Sequence, residues 1–254
     1  MANWSDPRTS AAAYAPGAAR ADYDAGLRSY MLSVYNYMLS GVLLTGIVAL
    51  AFGKIESLQR LLFVVQETSR GFSIGPSLLG WLVMLSPLAI VFAMSFGQQR
   101  MSEGTLKALF FAYAGLLGAS LSTIFITYTD ASIAQVFFGT AAGFAGLSLY
   151  GYTTKKDLSG LGTFLIMGLI GLIVASIVNI FIGSSTMNLV ISVIGVLIFA
   201  GLTAYDTQKI KSIYAHVAGT DMMGKVVIMG ALNLYLDFIN MFLFLLRLFG
   251  SQRN

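Results

Sequence analysis

Two acidic residues stand out because they sit in stretches where charge is expensive. Asp237 lies in Leu234-Tyr235-Leu236-Asp237-Phe238-Ile239-Asn240, inside a long apolar run, and Asp206 closes another, in Ala204-Tyr205-Asp206-Thr207-Gln208-Lys209. Asn233, Asp237 and Asn240 recur at i, i+4 and i+7, which is one face of a helix. A face of that kind cannot look at lipid, and ionisable groups within a membrane span usually mark a pathway or a sensor. The bland alternative for Asp237 is a carboxyl tied into a helix–helix hydrogen-bond network. For Asp206 it is an interfacial acid paired with Lys209 at i+3. Two carboxyls brought together in a low dielectric cannot both ionise easily, so they share a proton. Such a pair can sense pH, bind a hard cation through oxygen, or relay protons.

The elements that must carry these residues follow from composition. Of 254 residues, 57% are hydrophobic and only 10% charged, against about 25% charged in a soluble domain. Lipid must therefore be the solvent for much of the chain. Seven stretches are long and apolar enough to cross a bilayer as helices: Met31–Phe52, Ser77–Gly97, Leu106–Tyr128, Ala131–Tyr150, Leu161–Gly183, Met187–Asp206 and Val226–Phe249. A membrane β-barrel would instead alternate in polarity over short segments, which the continuous apolar run Gly168–Val178 does not. The expected fold is an all-α polytopic membrane protein, with residues 31–250 forming one seven-helix domain. Residues 1–30, rich in Ala with Pro7 and Pro16, are expected to form a disordered tail, and no apolar signal-peptide core begins near Met1. Leu58–Val65 is too short to span and is expected to lie at the interface as a helix.

Direction comes from the basic residues. With the N-terminus in the cytoplasm, the inner segments hold Arg8, Arg20, Arg28, Arg100, Lys107, Lys155, Lys156, Lys209, Lys211 and Lys225. The outer ones hold Lys54, Arg60, Arg70, Arg247 and Arg253, ten against five. The positive-inside rule then places the N-terminus inside and the C-terminus outside. With opposed sixth and seventh helices, both aspartates fall in the cytoplasmic half. They can meet if the sixth span is shifted slightly from the bounds above.

Other features are quieter. The basic residues form no stripe, so the net charge of +4 indicates topology and not a nucleic-acid partner. No cysteine is present, and the single histidine, His216, is expected in the sixth–seventh loop, so neither a metal site nor a cofactor is expected. Arg247 is placed to snorkel to the interface. Gly139 and Gly143, with Gly115, Gly118, Gly168 and Gly171 in neighbouring spans, suggest ordinary close packing. Pro87 should kink the second span. The last span has no internal lysine, which excludes a retinal Schiff base. An intramembrane aspartyl protease would suit two acids, and Tyr205-Asp206 resembles the first motif of that class. Its second motif needs glycines flanking the acid, where this chain has Tyr235-Leu236-Asp237, and no Pro-Ala-Leu follows. No enzyme is therefore expected.

The paired segments Ala204–Ile210 and Leu234–Asn240 together resemble the signature of the Bax inhibitor family. Lys155-Lys156-Asp157-Leu158-Ser159 and Leu245-Leu246-Arg247-Leu248-Phe249-Gly250 resemble its bacterial members. The likeness runs from about the first span to Gly250. It implies six helices around a central, buried seventh, in a bacterial inner membrane. It also implies a pH-sensitive calcium leak, with calcium as permeant ion and Asp206 and Asp237 as sensor; Tyr205, Asn233 and Asn240 would support them. A basic residue near the inner end of the second helix pairs with the dyad in such proteins, and the match here is Arg100. Some bacterial relatives associate with a membrane-anchored AAA protease, which implies a regulatory alternative without transport.

The topology is directly testable. A reporter active only in the cytoplasm, fused after Asn254, should be silent; an active fusion would mean six spans or an inverted protein.

Overall fold

The computed structural model describes residues 16–68 and 71–253. In chain order the elements are α1 (Pro16–Lys54), α2 (Glu56–Leu62), β1 (Phe63–Thr68), β2 (Gly71–Pro76), α3 (Leu78–Gly97), α4 (Glu103–Ser120), α5 (Thr123–Thr127), α6 (Asp130–Thr153), α7 (Ser159–Ile182), α8 (Ser185–Val217) and α9 (Met223–Phe249). Seven helical segments are long and apolar enough to cross a membrane, α4 and α5 together making the third. Three of their starts are capped by serine hydroxyls. Ser77, Ser102 and Ser184 each accept the backbone N–H three residues on, from Gly80, Thr105 and Met187, which satisfies one of the orphan donors of a helix N-terminus. The α7–α8 hairpin turns at Gly183, whose φ of 68° is the left-handed conformation that glycine adopts without a Cβ penalty. Asn179 holds this turn by accepting from Ser184 N–H and donating to Asn188 Oδ1 at 2.8 Å.

The last helix is the most buried of the seven spans. Of its most apolar stretch 67% is buried, against 17–44% in the other six spans. Helices α1, α4, α6 and α8 pack directly on it, while α3 packs on α4 and α7 on α8. Outward-facing Leu43, Ile47, Leu88, Phe164, Ile170 and Leu197 make the periphery apolar, as a lipid-facing surface must be. Between lipid-facing helices no hydrophobic force acts, so close packing supplies the cohesion. Gly151 on α6 lies against the backbone of Ala204 on α8, and Gly118 on α4 against the backbone of Thr45 on α1. The Gly139–Gly143 pair is not used this way: a Cβ at either would meet nothing within 4 Å. Inside α3, Pro87 cannot donate to Val83, four residues back. The freed Val83 carbonyl accepts instead from Ser120 Oγ of α4 at 3.0 Å and from Ser86 Oγ at 3.1 Å.

Several expected boundaries move. Residues 1–15 of the expected tail lie outside the described residues, but Pro16–Tyr30 are helical and continue α1. The reason is packing: Leu27 and Tyr30 are buried, and Tyr23 and Tyr30 lie 5.2 and 5.3 Å from the Tyr214 ring of α8. The sixth span does not end at Asp206, because α8 runs on to Val217 and carries His216 in its last turn. The interfacial helix over residues 58–65 is instead α2 followed by an antiparallel hairpin, with Val64 opposite Gly75.

The end of the bundle opposite the α8–α9 turn is closed by the C-terminal segment. Thr129 N–H donates to Ser251 O at 2.9 Å and Arg253 N–H to Thr127 O at 2.8 Å. Asp130 receives Lys54 Nζ at 2.7 Å and Arg253 Nη2 at 3.2 Å. These ion pairs are exposed and contribute little individually.

The contrast between glycines is measurable. Gly151→Val should lower stability in detergent by about 1–3 kcal/mol through overpacking, while Gly139→Val should leave the unfolding temperature close to wild type. Equal losses would contradict the α6–α8 contact.

Candidate functional site

Asp206 stands 11 residues before the end of α8 and Asp237 stands 14 residues after the start of α9. At 1.5 Å per residue these are about 16 and 21 Å along antiparallel helices joined by a tight turn. The extension of α8 past Asp206 is therefore what brings the acids to similar depth. Their carboxyls lie close enough for the charges to interact. Asp237 is 4% exposed, and its Oδ2 has no hydrogen-bond partner among the described residues. Asp206 is half-buried, and the charge of Lys209, one turn further on α8, acts on it. No ion pair within 4 Å involves either aspartate among the described residues.

The flanking residues divide. Asn240 is half-buried and donates to Leu236 O at 2.8 Å, so it satisfies its own helix. Asn233 is half-buried on the same face. Tyr205 points to α7, where Gly162 leaves room for its ring, and Lys209 Nζ sits 5.9 Å from that ring. Arg100 is exposed in the turn after α3 and is not brought to the dyad. It lies three residues past the end of α3, and the turn it occupies meets the first turn of α9, where Lys225 Nζ donates to Gln99 O at 3.5 Å. The cation near Asp206 is thus Lys209.

What the sequence reading missed is the scaffold that fixes Asp237. Tyr235, two residues earlier, is fully buried, with the rings of Phe110 and Tyr113 edge-on at 5.9 and 5.6 Å. Thr45 Oγ1 gives its single proton to Ala114 O at 2.8 Å, so Tyr235 OH is the donor in its 2.6 Å bond to Thr45. On the other side Phe238 stands edge-on to Phe137 and Phe144 at 5.5 and 5.6 Å. A second hydroxyl chain runs beside Asp206. Thr207 Oγ1 donates to Thr203 O at 2.8 Å, Ser148 Oγ to Thr207 at 2.9 Å, and Tyr35 OH to Ser148 at 2.5 Å. The available signal was a hydroxyl residue within each of four apolar runs, too common a feature to single out. Past the dyad, Gln208 accepts from Leu158 N–H at 2.9 Å and donates to Lys156 O at 2.8 Å, while Lys211 donates to Tyr152 O at 2.7 Å. These bonds fasten the α6–α7 loop to the extended α8.

A pair of carboxyls so placed can hold one proton or offer oxygens to a hard cation. Among the described residues no group of three or more His, Cys, Asp or Glu is gathered that could hold a resident metal.

Residues 27–254 match the family model described as inhibitor of apoptosis-promoting Bax1. An uncharacterized protein of Rickettsia prowazekii is 47% identical over 91% of this chain and 93% of its own length. The inner membrane protein YbhL of Escherichia coli is 46% identical, covering 90% of this chain and 94% of its own. An uncharacterized membrane protein of Streptococcus pyogenes is 38% identical over 90% and 95%.

The Tyr235–Thr45 bond gives a test of the scaffold. Tyr235→Phe leaves Thr45 without its donor and should cost about 1 kcal/mol. Tyr235→Ala, which also empties the ring's place, should cost about 3–5 kcal/mol. Unfolding monitored by circular dichroism in detergent separates the two; equal, negligible losses would remove Tyr235 as the anchor.

Proposed function

This chain belongs to the Bax inhibitor family, and on that premise we propose that it is a pH-sensitive cation leak, with calcium as permeant ion, gated by Asp206 and Asp237. The observation that carries this reading is the buried Asp237 carboxyl, whose Oδ2 has no hydrogen-bond partner among the described residues, with a second carboxyl on the helix packed against it. A purely structural acid would have its oxygens saturated by donors, since a buried polar atom left without a partner costs about 1–3 kcal/mol. Here Oδ2 has no donor among the described residues, as a carboxyl that holds a proton would require.

In this reading the shared proton holds α8 and α9 together. When both carboxyls ionise, their repulsion in a low dielectric drives the helices apart at this depth. A calcium ion needs six to eight oxygens, so the pair would give a passing ion transient ligands, with water completing the shell. Lys209, one turn from Asp206 on α8, takes the place expected for Arg100. The name of the Escherichia coli relative supports an inner-membrane location, and the excess of Lys and Arg on the side of the α8–α9 turn supports a cytoplasmic N-terminus. The reading without transport, a regulatory partner of a membrane-anchored AAA protease, is what remains if the dyad proves inert.

Liposomes with an entrapped calcium indicator, assayed across pH, test it. Asp237→Asn keeps a hydrogen-bonding group but removes the charge, so it should hold the shut, protonated-like state and blunt the pH dependence of flux. Asp237→Ala removes the interaction as well and should raise flux or destabilise the bundle. Because the pair titrates as a unit, the double Asn variant should deviate from additivity by about 0.5–3 kcal/mol. Additive single variants with wild-type pH dependence would make the aspartates separate structural residues.

A further inference from the structure

Between α1 and α6 the bundle leaves a slot of about 600 Å³ that opens sideways, floored by Phe238 of α9 and lined by Tyr35, Phe144, Ala145 and Leu149. Its rims, Leu32 and Leu39 on α1 and Leu149 on α6, are 51%, 54% and 63% exposed, so the opening faces the surroundings of the bundle and not its interior. The hydroxyls in its wall make no demand for water. Tyr35 donates to Ser148 and Ser148 to Thr207, so each proton is already placed within the protein. The slot therefore suits an apolar occupant.

One end carries a charge. Arg28 lines the slot at its mouth, is exposed, and forms no ion pair within 4 Å among the described residues. The other charges there are Asp24, one turn earlier on α1, and Lys211, engaged with the Tyr152 ring and carbonyl. From Arg28 to Leu39 is 11 residues, about 16 Å of helix. That is half of a hydrocarbon core of about 30 Å, the depth of one leaflet.

We propose that this slot binds one phospholipid of the bilayer, an acyl chain lying against Phe238 and Ala145 and the anionic phosphate on Arg28. The length, the satisfied hydroxyl wall and a cation with no ion pair among the described residues fit that molecule together. The site is distinct from the aspartate pair, and its occupancy stands or falls separately from ion flux.

The test is native mass spectrometry of the delipidated full-length protein titrated with phosphatidylglycerol. One lipid should persist at activation energies that strip the rest. Arg28→Gln, a surface change that leaves the bundle intact, should weaken that binding about tenfold, the effect of losing a hydrogen bond to a charged group. Ala145→Trp should fill the slot and abolish it. Should that variant fail to fold, a phospholipid with a photoreactive acyl chain, added to wild type, should label Leu39, Ala145 and Leu149 in preference to the opposite side of the bundle at Phe164 and Ile170. Retention unchanged by Arg28→Gln, no persistent single lipid, or labels spread evenly around the belt would each overturn the assignment.

Discussion

A carboxyl in the middle of a membrane-length helix cannot be left facing hydrocarbon, and most of this architecture answers that constraint. Burying Asp237 obliges α9 to be enclosed by other helices on its polar side. The enclosure is built from both directions along α9. Tyr235 is locked to α1 through Thr45, and Phe238 is wedged among the aromatic rings of α6. Asp237 lies between these two fixed neighbours and is buried on the helix that α8 packs against. The dyad is thus a consequence of how α9 is held, and not of any strong attraction between the acids themselves.

The same constraint governs the weaker polar groups. In lipid a hydroxyl or amide needs a partner within the protein, and several here find one across a helix seam or turn. Ser120 caps the carbonyl that Pro87 frees in α3, Asn179 closes the α7–α8 turn, and Tyr35, Ser148 and Thr207 join α1, α6 and α8. Two glycines act where backbones meet. At Gly118 and Gly151 a Cβ would run into a carbonyl of the neighbouring helix, and these are the α1–α4 and α6–α8 contacts on which α9 is seated. A membrane helix gains nothing by turning apolar residues away from lipid, so such close approaches and satisfied polar seams decide which faces meet.

The extension of α8 connects fold to chemistry. Had the helix stopped at Asp206, that acid would stand at the bilayer surface beside Lys209. Another 11 residues of helix follow it, fastened to the α6–α7 loop by Gln208 and Lys211 and to α1 by Tyr214. These contacts bring Asp206 inward to the depth of Asp237, while leaving it partly open toward Lys209. One acid is sealed and the other partly exposed.

The amino-acid sequence by itself determined seven spans, their approximate bounds and the two acids worth attention, because the cost of charge and of unpaired backbone in hydrocarbon is written directly into composition and run length. The paired motifs around Asp206 and Asp237 also pointed to the family that the comparisons establish. Tertiary structure alone decided where helices continue beyond the apolar run. Polar extensions such as Pro16–Tyr30 and Thr207–Val217 are held by contacts with distant elements that no local pattern records. It also decided which small residues pack. Gly139 and Gly143 carry the familiar spacing yet face open space, while Gly151, with no such spacing partner, touches α8. It set aside Arg100 in favour of Lys209 because a charge acts through distance, and three residues of turn carry Arg100 beyond the end of its helix. Spacing along one helix is fixed by its 3.6-residue period and can be read from sequence. The register between two helices is set by side-chain packing across their seam, and only the assembled bundle contains it.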